Sequence, residues 1–200
     1  MHCEILPSVS EGPLFFYDVA SPYAYMTASR IGEVLPEADW RPILMGGLFK
    51  LNGRHSWLYD EDREARKAEI ERRAAAYGLP PMTWFASMPT GWLAVMRAAT
   101  VAKRRGKVRE FSLAAFRAVH AEGRELWDDD QLAELAPAAD LAPDELLALV
   151  GQQDVKDELR AVTERAHELG APGVPTVVVG SQVYWGDDRL EDAARAASEL

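Results

Sequence analysis

The chain has 200 residues, 48% of them hydrophobic, and a formal net charge of −10. That length fits one domain, or one domain carrying a large insertion. So acidic a chain is a poor binder of nucleic acid or an anionic membrane, no apolar run approaches the roughly 20 residues that span a bilayer, and a single cysteine, Cys3, excludes an intramolecular disulfide or a CxxC redox pair.

The opening stretch MHCEILPSVSEGP has no basic segment ahead of an apolar block. It does not read as a secretory leader, and the cytoplasm is the expected location. Cys3 receives no role there. Leu14 to Asp18 is apolar and aromatic after Gly12-Pro13, which predicts a short buried strand. Ser21-Pro22 then opens a helix, with serine as N-cap and proline at the first helical position. Tyr25, Ala28, Ser29 and Gly32 share one helical face, and Gly32 is expected to let the helix approach a sheet. Leu35-Pro36 ends it. Asp39 to Leu44 predicts a second strand, with Pro42 where one backbone donor is not needed. A strand, a helix and a strand at this spacing imply a parallel pair.

From Gly47 to Leu169 the pattern is helical. Asp62 to Tyr77 predicts a charged helix with Asp62–Arg66 and Glu69–Arg73 at i,i+4. Further helices are expected over Trp92 to Arg105, Glu110 to Glu122, Asp129 to Leu135, Pro143 to Leu149 and Gln153 to Leu169. The basic cluster Lys103 to Lys107 reads as a charged helix end before a Gly stop. Strand character returns in PTVVVG and SQVYW, a hairpin turning at Gly180-Ser181. DDRLEDAARAASEL closes the chain as a helix with aspartates in its first turn. The fold class is therefore α/β: a thioredoxin-like β-α-β … β-β-α fold with a large all-helical insertion. The thioredoxin-like part comprises residues 12–46 and 170–200, and the insertion 47–169.

Three blocks in order, FYDVASPYAYM, RPILMGGLFK and GAPGVPTVVVGSQVYWGDDRLED, resemble the 2-hydroxychromene-2-carboxylate isomerases and kappa-class glutathione transferases. These form part of the DsbA-like branch of the thioredoxin superfamily. The resemblance implies a glutathione-dependent enzyme, or one using another small thiol, acting on a small molecule. It implies that Ser21 contacts the thiol sulfur and that a cis-proline loop at Val174-Pro175 presents backbone groups to the thiol. Asp187 and Asp188 would hold its γ-glutamyl end, and Lys50 would stand at the substrate pocket. Two segments depart from the family pattern, both on the substrate side. Arg54 stands where asparagine is expected, with Asn52 two positions away, and SMPTGW replaces a Phe-Pro-x-Asn segment. Relatives are often dimers, so a homodimer is an expectation of the resemblance.

The chemistry asks for a thiolate, and a free thiol with a pKa near 8.5 is only a few per cent ionised at neutral pH. Ser21 at a helix start offers a hydroxyl and backbone N–H groups to a bound sulfur. No cysteine stands at or near position 21, so disulfide exchange by that site is excluded. Plainer roles exist beside these. Ser21 alone could be an N-cap, Asp187 and Asp188 helix-start residues, and Lys50 and Arg54 solvated charges. Trp84, Phe85, Trp92 and Trp185 suit core or pocket wall, and His120 a structural position. The histidines are scattered without metal-ligand spacing, so no metal is expected. The leading expectation is a thiol-dependent isomerase. The alternatives are a kappa-type glutathione transferase and a non-catalytic thioredoxin-like binding module.

Overall fold

The computed structural model describes residues 12–84, 92–126 and 128–200. His2, Cys3, Phe85 and residues 87–91 of the SMPTGW segment lie outside them.

Strand β1, Leu14–Tyr17, is buried along its whole length. Four successive large apolar side chains leave neither face for water, which places the strand inside a sheet. Strand β2, Asp39–Pro42, runs parallel to it, Leu14 opposite Asp39 and Tyr17 opposite Pro42. Strand β3, Thr176–Val179, lies antiparallel on its other side, and β4, Gln182–Trp185, completes the order β2-β1-β3-β4. The Ile43 N–H reaches the Tyr17 carbonyl at 3.0 Å. The nitrogen of Pro42 therefore points away from β1, where its missing donor costs no ladder bond. The hairpin turns at Gly180 and Ser181, with Gly180 at φ +58°, a conformation glycine adopts without steric cost.

The pleat of β1 divides its side chains between two cores. Phe15 and Tyr17 face helix α1, Pro22–Val34, and helices α4, Trp92–Arg104, and α5, Val108–His120. Leu14 and Phe16 face Ile43, Leu48, Ala166 and Val178 on the opposite side. Each fully buried aromatic contributes about 1.5–3 kcal/mol from area alone, so both faces hold the sheet. The first core runs without a break from Phe15 and Tyr17 into Val95, Met96, Phe111 and Phe116 of the helical segment.

Helix α1 starts as expected, with the Ser21 hydroxyl accepting the Ala24 N–H at 3.2 Å and Pro22 in its first turn. Its buried stripe is Ala24, Tyr25, Ala28 and Ile31. Gly32 is exposed, and a Cβ there would meet the Arg109 guanidinium at 3.5 Å. The expected close approach to the sheet is corrected accordingly: the stripe turns toward Ile31 and leaves Gly32 outside.

Helix α2, Met45–Leu51, is an element the sequence analysis did not anticipate. Each of its two glycines costs about 1 kcal/mol of helix propensity. Tertiary contacts offset this: Leu48 is buried, and a Cβ on Gly47 would touch Thr163 at 3.4 Å. Thr163 belongs to α8, Gln153–Glu168, which also covers the second core. Helix α3, Arg63–Ala76, carries the anticipated pairs, Arg66–Asp62 at 2.9 Å and Arg73–Glu69 at 3.6 Å. Short α6, Asp129–Ala133, and α7, Pro143–Val150, complete the helical segment. The basic cluster ends α4 and is neutralised locally, Lys103 by Asp39, Arg104 by Asp154 and Glu158, and Lys107 by Asp140. The closing aspartates form a 3-10 turn, Asp187–Arg189, ahead of α9, Leu190–Ala197. Among the described residues no helix is long and apolar enough to cross a membrane.

Candidate active site

Ser21 sits where β1 ends and α1 begins, and its side chain is 3% exposed. Its hydroxyl oxygen accepts from Ala24, and its proton points at the Val174 carbonyl at 3.5 Å. That second bond is at the limit of length and therefore weak. The Val174–Pro175 peptide is cis. Ser21, Val174 and Pro175 thus stand together, 153 residues apart in sequence for the serine and the valine. All three line a cavity of about 470 Å³, together with Tyr23, Arg66 and Trp185.

The loop that presents Ser21 is held at every residue. Asp18 accepts the Ala20 N–H at 2.9 Å through one carboxylate oxygen and the Met45 N–H at 2.8 Å through the other. The Ser21 N–H returns to the Asp18 carbonyl at 3.0 Å. The Val19 N–H points at the Met96 sulfur at 3.3 Å, and the Val19 carbonyl faces His120 Nε2 at 2.8 Å. A carbonyl only accepts, so Nε2 carries the proton. Burial pushes the His120 imidazole down to about 4, which keeps it neutral; its ring stacks on Tyr25 at 5.3 Å. Burial pushes the Asp18 carboxyl up to about 6, against the pull of its two backbone donors.

A larger cavity of about 690 Å³ adjoins the first through shared walls at Met45, Phe49, Arg54 and His55. Its own lining adds Asp18, Leu44, Lys50, Tyr59, Trp92 and Leu93. Most of that wall is apolar, yet Lys50 and Arg54 enter it. Neither has a carboxylate partner among the described residues. The Arg54 guanidinium instead lies over the Trp185 ring at 4.6 Å, a cation–π contact that orients it at the junction. Unpaired cations in an apolar cavity suit an anionic group on a flat, greasy molecule.

The remaining expected site residues lie elsewhere. The Asn52 amide donates to the Ala171 carbonyl at 2.9 Å, and its oxygen meets His167 Nδ1 at 2.7 Å. It ties the end of α2 to the chain entering the cis-proline turn and lines neither cavity. Asp187 is 1% exposed and bound to Arg73 at 2.7 Å and to the Tyr77 hydroxyl at 3.3 Å. Burial raises its carboxyl above the ordinary range, while Arg73 pulls the other way. Asp188 is 64% exposed, with Arg73 at 3.7 Å. Neither aspartate lines either cavity. The corner at Ser21 therefore fits the sulfur of a small thiol. Asp187 already has a cationic partner, and of the two aspartates Asp188 is the accessible carboxylate. Of the tryptophans weighed earlier, Trp92 and Trp185 are cavity wall and Trp84 packs beside Ile70.

Sequence reasoning passed over Asp18 as a site residue. The available signal was an acid directly after a fully apolar strand and three positions before the helix cap. His120 was read as structural, which its bond to the Ser21 loop makes specific.

A family model described as a DSBA-like thioredoxin domain matches residues 14–197. A 2-hydroxychromene-2-carboxylate isomerase of Sphingobium xenophagum is 26% identical, over 88% of this chain and 93% of the relative. A solved structure of a selenomethionine 2-hydroxychromene-2-carboxylate isomerase superposes with a TM-score of 0.82 at 18% identity, covering 95% of this chain and 96% of that one. A probable DsbA oxidoreductase from Streptomyces coelicolor superposes at 0.74 with 25% identity, covering 94% and 88%.

Proposed function

This chain belongs to the DSBA-like thioredoxin domain family, and from that premise we propose that it is a thiol-dependent isomerase of an aromatic or conjugated carboxylate, with the thiol sulfur held at Ser21. One observation carries the reading. The Ser21 hydroxyl, at a helix start and opposite Val174-Pro175, opens on a cavity that joins a second, largely apolar one also lined by Lys50 and Arg54, neither of which has a carboxylate partner among the described residues. The Sphingobium relative, named for an isomerase, supports the same reaction class. The chain's sole cysteine, Cys3, is remote in sequence from position 21, which sets it apart from disulfide-exchanging members of its family.

A bound thiol, glutathione in our reading, supplies a nucleophile that adds reversibly to a conjugated double bond. The chain's residues make that possible. Lowering a thiol pKa by about two units takes roughly 2.7 kcal/mol. The N-terminus of α1 supplies up to about 2 kcal/mol when partly buried, and one hydroxyl bond to a charged sulfur about 1.5–3. Ser21 gives both, and its proton turns from the long Val174 contact to the sulfur. Val174 and Pro175 form the opposite wall, and Asp188, the exposed carboxylate beyond the cavity, would hold the thiol's amino group. Lys50 and Arg54 hold the substrate carboxylate, Arg54 through a bidentate grip that its perch on Trp185 directs. The apolar lining at Leu44, Met45, Phe49 and Trp92 keeps water from the reacting carbons. Ser21 itself is not acylated in this reading: among the described residues its hydroxyl bonds no histidine, His120 donating to Val19 and His55 meeting Asp60.

The test is turnover of a chromene carboxylate with glutathione present. Isomer forming while the thiol concentration stays constant is the expected result. Accumulating thioether would make the protein a kappa-type transferase on the same thiol corner. Absence of both turnover and calorimetric thiol binding would leave a binding module and sink the proposal.

A further inference from the structure

Two pieces of the site come from distant elements and must keep a fixed relation. The thiol corner is the last turn of the β1–α1 loop. The substrate wall is α2 with the residues after it: Phe49, Lys50 and Arg54. One side chain touches both. Asp18 takes the Ala20 N–H, one residue before Ser21, on one oxygen, and the Met45 N–H, the first of α2, on the other. It is 4% exposed yet forms part of the lining of the larger cavity.

We propose that Asp18 is the positioning residue that couples the thiol corner to the substrate wall, fixing α2 against the Ser21 turn through a carboxylate bridge. The inference rests on the reading of the site given above and adds to it a residue that acts through backbone, not on substrate. The chemistry of the bridge is specific. An ionised carboxylate accepts at both oxygens, whereas a carboxylic acid or an amide presents one acceptor and one donor. Only the ionised form satisfies both amides. An unbridged α2 loses the described hydrogen bond at its first amide, while Leu48, Thr163 and Asn52 still hold the rest of the helix, so the effect falls on its N-terminal end.

Protonation of Asp18 breaks the bridge, so the coupling is sensitive to pH. Burial places that event near pH 6. The titratable and charged groups around it are Tyr17 at the end of β1, Lys50 of α2, Arg54, His55 and Tyr59 beyond α2, and His120 of α5 through Val19. The two backbone donors, Ala20 and Met45, favour the ionised form against burial, and His55 is the histidine on the shared wall.

Met45→Pro tests the bridge without touching Asp18. Met45 is the first residue of α2, where proline is well tolerated, and Leu44 before it is already extended at φ −94° and ψ 104°, as a residue preceding proline must be. The substitution removes the N–H that Asp18 accepts and puts the ring Cδ in its place, facing the Asp18 oxygen, so it opens the α2 half of the bridge; it also takes the Met45 side chain from the shared cavity wall, and Met45→Leu serves as the comparison for that. Relative to M45L, M45P should lower kcat/KM for the substrate by about tenfold or more, chiefly through KM, because misplacement on the order of 1 Å is enough to do so. Thiol affinity should fall less than kcat/KM does, since Ser21 keeps its cap bond to Ala24 and its place beside Val174. D18N should reproduce the loss and leave only the acid limb that thiol ionisation itself imposes, removing the part that follows Asp18 near pH 6, while H55Q keeps both parts. The Ala20 and Met45 amide resonances of wild-type protein should titrate together, a readout that needs no turnover. Equal kinetics for M45P and M45L, or amides that titrate separately, overturn the inference. Thiol-independent turnover by the wild type would instead overturn the reading of Ser21 while leaving the amide titration to judge Asp18.

Discussion

Replacing Ser21 by alanine removes two things of different size. The first is the N-cap bond to Ala24, 3.2 Å long; its loss costs about 1 kcal/mol of stability. The contact to Val174 at 3.5 Å adds little because it is long. The second is the hydrogen bond to a bound thiolate, worth about 1.5–3 kcal/mol. Since one pKa unit is about 1.36 kcal/mol, the bound thiol's pKa should rise by about 1–2 units. The ultraviolet absorbance of the thiolate, followed across pH in the complex, reads that shift directly, and a urea melt reads the cap. Helix dipole and backbone N–H groups remain, so thiolate stabilisation should fall without vanishing. A bound-thiol pKa that stays put in Ser21→Ala, with the melt showing the cap loss, would refute the role given to the hydroxyl.

Arg54→Ala should raise substrate KM by about tenfold, the loss of one charge-assisted contact, and Arg54→Lys should recover part of it, as steady-state kinetics will show. His120 is buried neutral, with its imidazole lowered to about 4. The unfolded chain takes up a proton near pH 6.5 while the folded one does not. This group's contribution is therefore complete above 6.5 and is lost as pH falls toward 4, by about 3 kcal/mol. Urea melts of wild type and His120→Gln across that range should converge at the acid end by that amount. Asp187→Asn removes the 2.7 Å ion pair to Arg73, which keeps Glu69 and Asp188 nearby, and should cost about 1 kcal/mol, seen by thermal or urea unfolding. Asp188→Asn should leave stability within about 0.5 kcal/mol and weaken glutathione binding by calorimetry.

Much of the fold could be read from residue order because its signals are local. The apolar run of β1, the Ser21-Pro22 start of α1 and the β-branched PTVVVG each specify an element within a few residues. The long charged helices followed from period and i,i+4 pairs such as Asp62–Arg66, which the structure contains. Helix α2 was hidden because Gly46 and Gly47 argue locally against a helix, and the contacts that overrule them come from Thr163 and Asp18. The same limit applied to the site. Ser21 and Val174-Pro175 were legible through motifs, and they meet. The engagements of Asn52 with Ala171, 119 residues away, and of Asp187 with Tyr77, 110 residues away, carry no local mark. Charge alone could not distinguish Asp187, closed inside an ion pair, from its exposed neighbour Asp188. Nor could the boundaries at residues 47 and 169 convey that Phe15 and Phe116 belong to one continuous core.

A crystal structure of the wild-type protein with glutathione measures the decisive quantity, the separation of the sulfur from Ser21 Oγ. Thiolate stabilisation by that hydroxyl predicts about 3.3 Å, within hydrogen-bond reach, with Val174-Pro175 on the sulfur's other side. A sulfur more than about 5 Å from Oγ, beyond any hydrogen bond, or a tripeptide seated away from Val174-Pro175, would contradict it.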